Sequence, residues 1–179
     1  MRVIAGELRG RRLVAPRGTS TRPTSDRVRE ATFNALGSMG AVEDAVVLDG
    51  FAGSGALGIE ALSRGAARCT FVERDRSALV ALRANLETCG LGTDRAEVVV
   101  GDALDLAGGR FDLALLDPPY AFDDWDLLLG ALDAEVAVCE SAHALEPPEG
   151  WRLARAKAYG GTVVSIVVNE NTSSSEGQR

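Results

Sequence analysis

The chain has no run approaching the roughly 20 apolar residues that a membrane span needs. Its opening, MRVIAGELRG, lacks the apolar core of a secretory leader. Both absences predict a cytoplasmic protein with no membrane partner. Cysteine is scarce: Cys69, Cys89 and Cys139 are odd in number, widely spaced and without a CxxC pair. That argues against a disulfide framework and against a zinc site, so no metal is expected and the three thiols read as small buried hydrophobes. Histidine occurs once, as His143 in the loop-like ESAHALEPPEG. A hydrolase built on a Ser–His or Cys–His pair would depend on that one residue, and no nucleophile is placed beside it. Trp125 and Trp151 each open an apolar segment and read as packing residues. No internal repeat is visible.

What is present suits one soluble domain: 179 residues, 46% hydrophobic and 25% charged. The charge is unevenly spread. Residues 1–29 carry eight arginines (Arg2, Arg9, Arg11, Arg12, Arg17, Arg22, Arg27 and Arg29) against Glu7 and Asp26, whereas the rest of the chain carries 11 cationic and 24 acidic side chains. A basic end on an acidic chain is either a solvated arm or a polyanion contact, because clustered guanidiniums pair with phosphates and displace counterions. On the second reading, nucleic acid can approach only through that end.

Along the chain, RVIAG and RRLVA flank ELRG and predict a short N-terminal hairpin. SDRVREATFNAL then sets Val28, Ala31, Phe33 and Leu36 at near-helical spacing. From Ala45 the rhythm becomes strand–helix–strand. AVVLDG leads to the helical ALGIEALSRG, closed by Gly65; RCTFVE leads to SALVALRANLETCG; AEVVVG is followed by a short connection. FDLALLD leads to the helical WDLLLGAL, and EVAVCE follows. Short apolar runs separated by helices predict an α/β fold with a parallel, doubly wound sheet. WRLARAKAY, Gly160-Gly161 and TVVSIVVNE read instead as an antiparallel hairpin. The polar end of the chain reads as disordered. The expected organisation is a hairpin-and-helix extension over 1–40, a ligand-binding domain over 41–169 and a tail over 170–179.

In such a sheet, ligands sit beyond the carboxyl ends of the strands. After the first strand, DGFAGSGALG places Gly53, Gly55 and Gly58 in GxGxxG spacing at a helix start. Backbone amides there bind an anionic or carboxylate-bearing ligand, and missing side chains allow close approach; a tight turn without a ligand is the plainer alternative. Glu73, 18 residues after Gly55, stands where a nucleotide fold holds ribose hydroxyls. Asp102, after the third strand, can accept a hydrogen bond from an exocyclic amine. Asp117-Pro118-Pro119-Tyr120 follows the fourth: a carboxylate, two rigid residues without backbone donors and an aromatic tip. Taken singly, these features also suit an NAD-dependent oxidoreductase.

Taken together, the D-x-F-x-G-x-G run from Asp49, Glu73, Asp102 and DPPY resemble the class I S-adenosylmethionine-dependent methyltransferases that modify exocyclic amines. VIAGELRGRRLVAP, RPTSDRVREATFNAL and LDGFAGSGALGIEALSRGA narrow the resemblance, over nearly the whole chain, to the bacterial 16S ribosomal RNA guanine-N2 methyltransferase family. The resemblance implies a Rossmann-like, mostly parallel seven-stranded sheet with an antiparallel C-terminal hairpin and a basic N-terminal β-hairpin extension. It implies that Asp49, Phe51, Gly53 and Gly55 face the methionine part of the cofactor, Glu73 the ribose, and Asp102 with the Ala103 backbone the adenine. Asp117, Pro118, Pro119 and Tyr120 would hold the target guanine, and Arg9, Arg11, Arg12, Arg22 and Arg27 would contact RNA or close the site. The implied partner is 16S ribosomal RNA, or the small subunit and its assembly intermediates, met by a monomer. One departure stands out: LLLGALDAEVAVCES reaches the fifth strand by a shorter connection than the family's, at the side of the site around Asp123 to Glu135. A DNA adenine-N6 methyltransferase shares DPPY, but no segment is large enough for a separate target-recognition domain. A non-catalytic ribosome-assembly factor is disfavoured by the intact DPPY.

Overall fold

The computed structural model describes residues 1–16, 25–105 and 108–171; Arg22, one of the expected RNA contacts, lies outside them, as does most of the expected tail. The elements are α1 (Asp26–Ser38), β1 (Val46–Asp49), α2 (Ala56–Ser63), β2 (Arg68–Glu73), α3 (Arg76–Cys89), β3 (Ala96–Val100), a 3-10 turn (Ala103–Asp105), β4 (Phe111–Leu116), α4 (Trp125–Ala131), β5 (Ala134–Ser141), β6 (Trp151–Tyr159) and β7 (Thr162–Asn169). Local chemistry sets their ends. Ser25 caps α1 by accepting from the Val28 amide, and Asp26 follows in the first turn, where the helix dipole favours a negative charge. Asp75 caps α3 in the same way, and that helix closes on left-handed Gly90 at φ 68°. Helix α2 closes on Arg64, with Gly65 just beyond it at φ 104°.

The seven strands form one sheet in the order β3-β2-β1-β4-β5-β7-β6. Strands β1 to β5 are parallel, and β7 runs antiparallel to both β5 and β6, as expected. Alternation along each strand splits the apolar residues between two cores. Val47, Leu113, Leu115 and Ile166 join α1, α2 and α3 on one face; Leu48, Ala114, Leu116 and Val167 join α4, Leu145 and Trp151 on the other. Cys69, Cys89 and Cys139 are free and buried, and burial pushes their thiols up. Strand β6 is an outer edge, and its pairing with β7 slips between Leu153 and Arg155. Among the described residues no helix is long and apolar enough to cross a membrane.

Residues 1–16 form no strand. They make one antiparallel bridge, Arg2 to Arg12, with backbone bonds from Val3 to Arg11 at 3.0 Å and from Leu13 to Met1 at 3.1 Å. The Gly10 amide donates back to the Val3 carbonyl at 3.0 Å, and several other donors go to the helices. The Ile4 and Ala5 amides donate to the Glu60 carboxylate at 2.8 and 3.1 Å, the Leu8 amide donates to Ser63 Oγ at 3.0 Å, and the Val14 amide donates to Asn85 Oδ1 at 2.8 Å. The approach at Gly6, φ 82°, admits only glycine, since a Cβ there would lie 1.7 Å from the Ser63 carbonyl oxygen. Val3 and Leu13 complete the attachment in the core beneath α1 and α2. Inside this joint, Arg29 is 1% exposed and faces Glu60, itself fully buried, at 3.6 Å. The guanidinium also donates to the Arg2 carbonyl and to Asp26.

Candidate active site

The order of the strands reverses at β1 and β4, so their carboxyl ends open side by side. A cavity of about 1270 Å³ lies there. It is lined by Phe51, Gly53, Glu73, Asp102, Ala103 and the whole of Asp117-Pro118-Pro119-Tyr120, so residues from four separate strand ends converge on one space. Pockets for a single ligand run to about 300–1,000 Å³, so this one has room for a nucleoside cofactor and a nucleobase together.

Two of the expected residues stand behind the wall. Asp49 ends β1, is 1% exposed, and its Oδ2 accepts from the Gly58 amide at 2.9 Å, which pins the start of α2. Gly55 takes φ 79° as the residue before α2, and its Cβ would lie 2.4 Å from Leu82 Cδ1. At Gly58 a Cβ would lie 2.3 Å from the Phe71 ring, so Gly55 serves packing against α3 and Gly58 packing of α2 against the sheet. Gly53 differs: a Cβ at that position would meet nothing nearer than 3.9 Å, and the loop backbone lies open to a ligand.

Glu73 is held firmly. Its Oε2 accepts from the Gly53 amide at 2.7 Å, and its Oε1 accepts from the Arg74 and Asp75 amides at 2.8 and 2.7 Å. Of the four lone-pair positions of a carboxylate, three are occupied, which leaves one on Oε2 for a ligand hydroxyl. Asp102 pairs with Arg74 and also accepts from the Leu104 amide at 3.1 Å. Tyr120 is 60% exposed, with its hydroxyl 3.2 Å from Thr162 Oγ1 on β7. Pro118 is buried, and the Pro119 carbonyl accepts from the Phe122 amide at 2.8 Å, closing the turn that carries the tyrosine.

Sequence reading missed Phe122 and the site-facing side of Trp125. The expected Phe51 stacks edge to face with Phe122, and Phe122 with Trp125, with centroids 5.5 and 5.1 Å apart, and all three line the cavity. Trp125 thus packs in the core, as its position predicts, and also presents a ring to the site. Trp151 is buried, donating Nε1–H to the Leu129 carbonyl at 3.0 Å. The exposed His143 stands at the cavity mouth. Arg9, Arg11, Arg12 and Arg27 are exposed, whereas Arg29 turns inward. Two residues, Leu132 and Asp133, connect α4 to β5. Among the described residues no cluster could hold a metal ion.

Burial raises Asp49 to about 7, against the Gly58 hydrogen bond, which lowers it; the Asp117 and Glu73 charges raise it further. The folded protein therefore binds this proton more tightly than the unfolded chain does. The resulting stability is complete below pH 3.8 and is lost as pH rises toward about 7. Relative to Asp49→Asn, which keeps an acceptor for Gly58, wild-type stability should fall by about 1 kcal/mol per pH unit across that window. Urea unfolding at a series of pH values measures the difference, and parallel curves for the two proteins would exclude a strongly raised Asp49.

The family model described as "Conserved hypothetical protein 95" matches residues 1–168. A Haemophilus influenzae protein named ribosomal RNA small subunit methyltransferase D is 37% identical over 96% of this chain and 94% of its own length. The solved structure of "Putative methyltransferase yhhF from Escherichia coli" superposes with a TM-score of 0.82 and 37% identity, covering 95% of this chain and 98% of that one. At the level of fold alone, magnesium protoporphyrin IX methyltransferase from Synechocystis, solved with bound S-adenosylmethionine, gives a TM-score of 0.65 at 14% identity over 80% of this chain and 78% of that one. The Rossmann-like class I methyltransferase fold is thus found in sheet order and neighbours alike, and by the match over nearly its whole length the chain belongs to the conserved hypothetical protein 95 family.

Proposed function

We propose that the protein is an S-adenosylmethionine-dependent methyltransferase of the exocyclic N2 amine of a guanine in small-subunit ribosomal RNA. The observation that carries this reading is the single cavity shared by Asp117–Tyr120 and the Gly53, Glu73 and Asp102 set. One group suits a flipped base and the other a nucleoside cofactor. When bound, the cofactor supplies an electrophilic methyl group on a positively charged sulfur.

This chain's residues do the rest. Gly53 offers an unhindered backbone, Phe51 a ring, and the Glu73 Oε2 lone pair accepts from a ribose hydroxyl; Asp102 and the Ala103 backbone meet the adenine. Asp49 and Gly55 act from behind by fixing the loop and the start of α2. A guanine amine is a poor nucleophile because its lone pair is delocalised into the ring. The Asp117 carboxylate and the Pro118 carbonyl accept the two amine hydrogens and turn that lone pair toward the methyl group. Transfer would break the methyl–sulfur bond as the methyl–nitrogen bond forms, leaving a neutral thioether. Asp117 would meet the positive charge growing on the nitrogen until the amine sheds one proton to water. Pro118 and Pro119 restrict the backbone that aims these acceptors. Tyr120 stacks on the extruded base. Arg9, Arg11, Arg12 and Arg27, exposed but outside the cavity lining, neutralise phosphates of the bound RNA, and Arg22 joins them by sequence. In this organisation residues 1–40 form the RNA-facing extension and residues 41–169 hold the cofactor.

The decisive experiment offers labelled S-adenosylmethionine with purified small subunits and with naked 16S RNA, followed by nucleoside analysis. The expected product is N2-methylguanosine. N6-methyladenosine would overturn the assignment of the base. NAD binding in calorimetry without S-adenosylhomocysteine binding would overturn the reaction class.

A further inference from the structure

The outer edge of the sheet carries a second cationic surface, far in sequence from the basic N-terminus. Strand β6 has three cations in nine residues, Arg152, Arg155 and Lys157, and no acidic one. Strict alternation would send Arg152 to one face of the sheet and Arg155 to the other. The irregularity in β6 prevents this. Arg152 pairs with Val168, Arg155 with Ile166, Lys157 with Val164 and Tyr159 with Thr162, while Ala154 has no cross-strand partner. Partners at every second residue of β7 place all four side chains on one face, a re-aiming that bulges commonly perform. That face looks toward α1, since Val164 and Ile166 share a core with Phe33 and Leu36.

All three cations are exposed. Arg152 stands 3.6 Å from Glu170, with both side chains more than half exposed, which is a weak association in water. Among the described residues Arg155 and Lys157 have no ion-pair partner; Lys157 Nζ lies 5.2 Å from the centroid of the Tyr159 ring. The row leads to the active site. Arg155, Lys157 and Tyr159 line a shallow groove against α1, and Tyr159 and Thr162 also line the main cavity, where Thr162 meets the Tyr120 hydroxyl. The opposite wall is acidic, with Asp123, Asp124, Asp126 and Glu146. A polyanion whose base enters the cavity is repelled along α4 and attracted along β6.

We infer that Arg152, Arg155 and Lys157 form the track on which the RNA strand adjoining the target nucleotide lies. This rests on the RNA methyl-transfer reading above. Successive cations two residues apart stand roughly 6.6 Å apart along a strand, an interval that lets neighbouring phosphates be met in turn.

The chain's single lysine makes the test clean. The full-length protein with S-adenosylhomocysteine is acetylated with an N-hydroxysuccinimide ester, with and without naked 16S RNA, and Lys157 is followed by peptide mapping. RNA should slow Lys157 acetylation severalfold. In a second arm, Arg155→Ala/Lys157→Ala should make the salt dependence of RNA binding shallower by about 1.4 in slope, at roughly 0.7 per phosphate on a single strand. Its affinity for S-adenosylhomocysteine should match wild type, which also reports that the variant is folded. An unprotected Lys157 and an unchanged slope, in a protein that still methylates RNA, would overturn the track. Protection by intact subunits and not by naked RNA would replace it with a protein contact. A wild-type protein that neither binds nor methylates RNA would instead defeat the methyl-transfer reading, and this inference with it.

Discussion

Replacing Asp117 by alanine should lower the single-turnover methylation rate by about 10²–10³, the usual loss when one preorganised electrostatic group is removed from a developing charge. Affinity for S-adenosylhomocysteine and for RNA should change far less. The reasoning is differential: the carboxylate meets little positive charge before transfer and much more as the methyl group arrives, so its contribution belongs mainly to the barrier. Asp117 follows the last residue of β4, and a rigid proline pair holds the segment after it, so its position is set by the sheet. Asp117→Asn separates two contributions, because it keeps an oxygen acceptor and loses the charge. If the charge dominates, the asparagine variant should resemble alanine in rate; if orientation dominates, it should recover most of the activity. Near wild-type turnover in the alanine variant would remove Asp117 from the chemistry.

A second large effect is expected far from the chemistry, at Glu60. Its carboxylate accepts from the Ile4 and Ala5 amides and, at 2.7 Å, from Arg64 Nε, and it faces the buried Arg29 guanidinium. Arg29 Nε and Nη1 have no hydrogen-bond partner among the described residues, so Glu60, together with Asp26 at Nη2, supplies the counter-charge that makes that burial tolerable. Glu60→Ala should destabilise the fold by about 3–5 kcal/mol, the range for removing one partner of a buried pair. It should also release the Ile4 and Ala5 amides to rapid hydrogen exchange. Urea denaturation and residue-resolved exchange check both. The double replacement Arg29→Met/Glu60→Leu should cost less than Glu60→Ala alone, because no uncompensated charge stays inside. A loss under about 1 kcal/mol in the single variant would show that the pair is not what holds the N-terminal segment down.

These two residues mark the boundary of what the sequence discloses. Asp117 was legible because its context is local: an apolar run, a carboxylate, two prolines and an aromatic in consecutive positions. The strands and helices were legible for the same reason, through periodicity and through caps such as Ser25 and Gly90. Glu60 was not, since its partners lie 55 and 56 positions away and the middle of a helix gives no sign of them. The expected N-terminal hairpin stopped at one bridge because Glu60, Ser63 and Asn85 take the donors that a partner strand would have used. Glycine spacing identified the right loop, yet it could not tell ligand approach from packing. Gly53 is open, while Gly55 and Gly58 are filled by Leu82 and Phe71. Arginine counting likewise treated Arg27 and Arg29 alike, although one helix turns the first outward and the second into the core.

The slipped register of β6 bears on the protein's behaviour at high concentration. An outermost strand shows unpaired amides and carbonyls to any second copy, and eight or nine such residues are enough to extend a sheet from one molecule into the next. Two copies meeting along this edge would bring two sets of Arg152, Arg155 and Lys157 onto adjoining strands, with like charges abreast and little counter-charge between them. The irregularity also interrupts the ladder at Ala154, and because bulged strands commonly bend, it works against a straight partner keeping its hydrogen bonds along the whole length. Charge and irregularity together disfavour pairing of this edge with a second copy of itself.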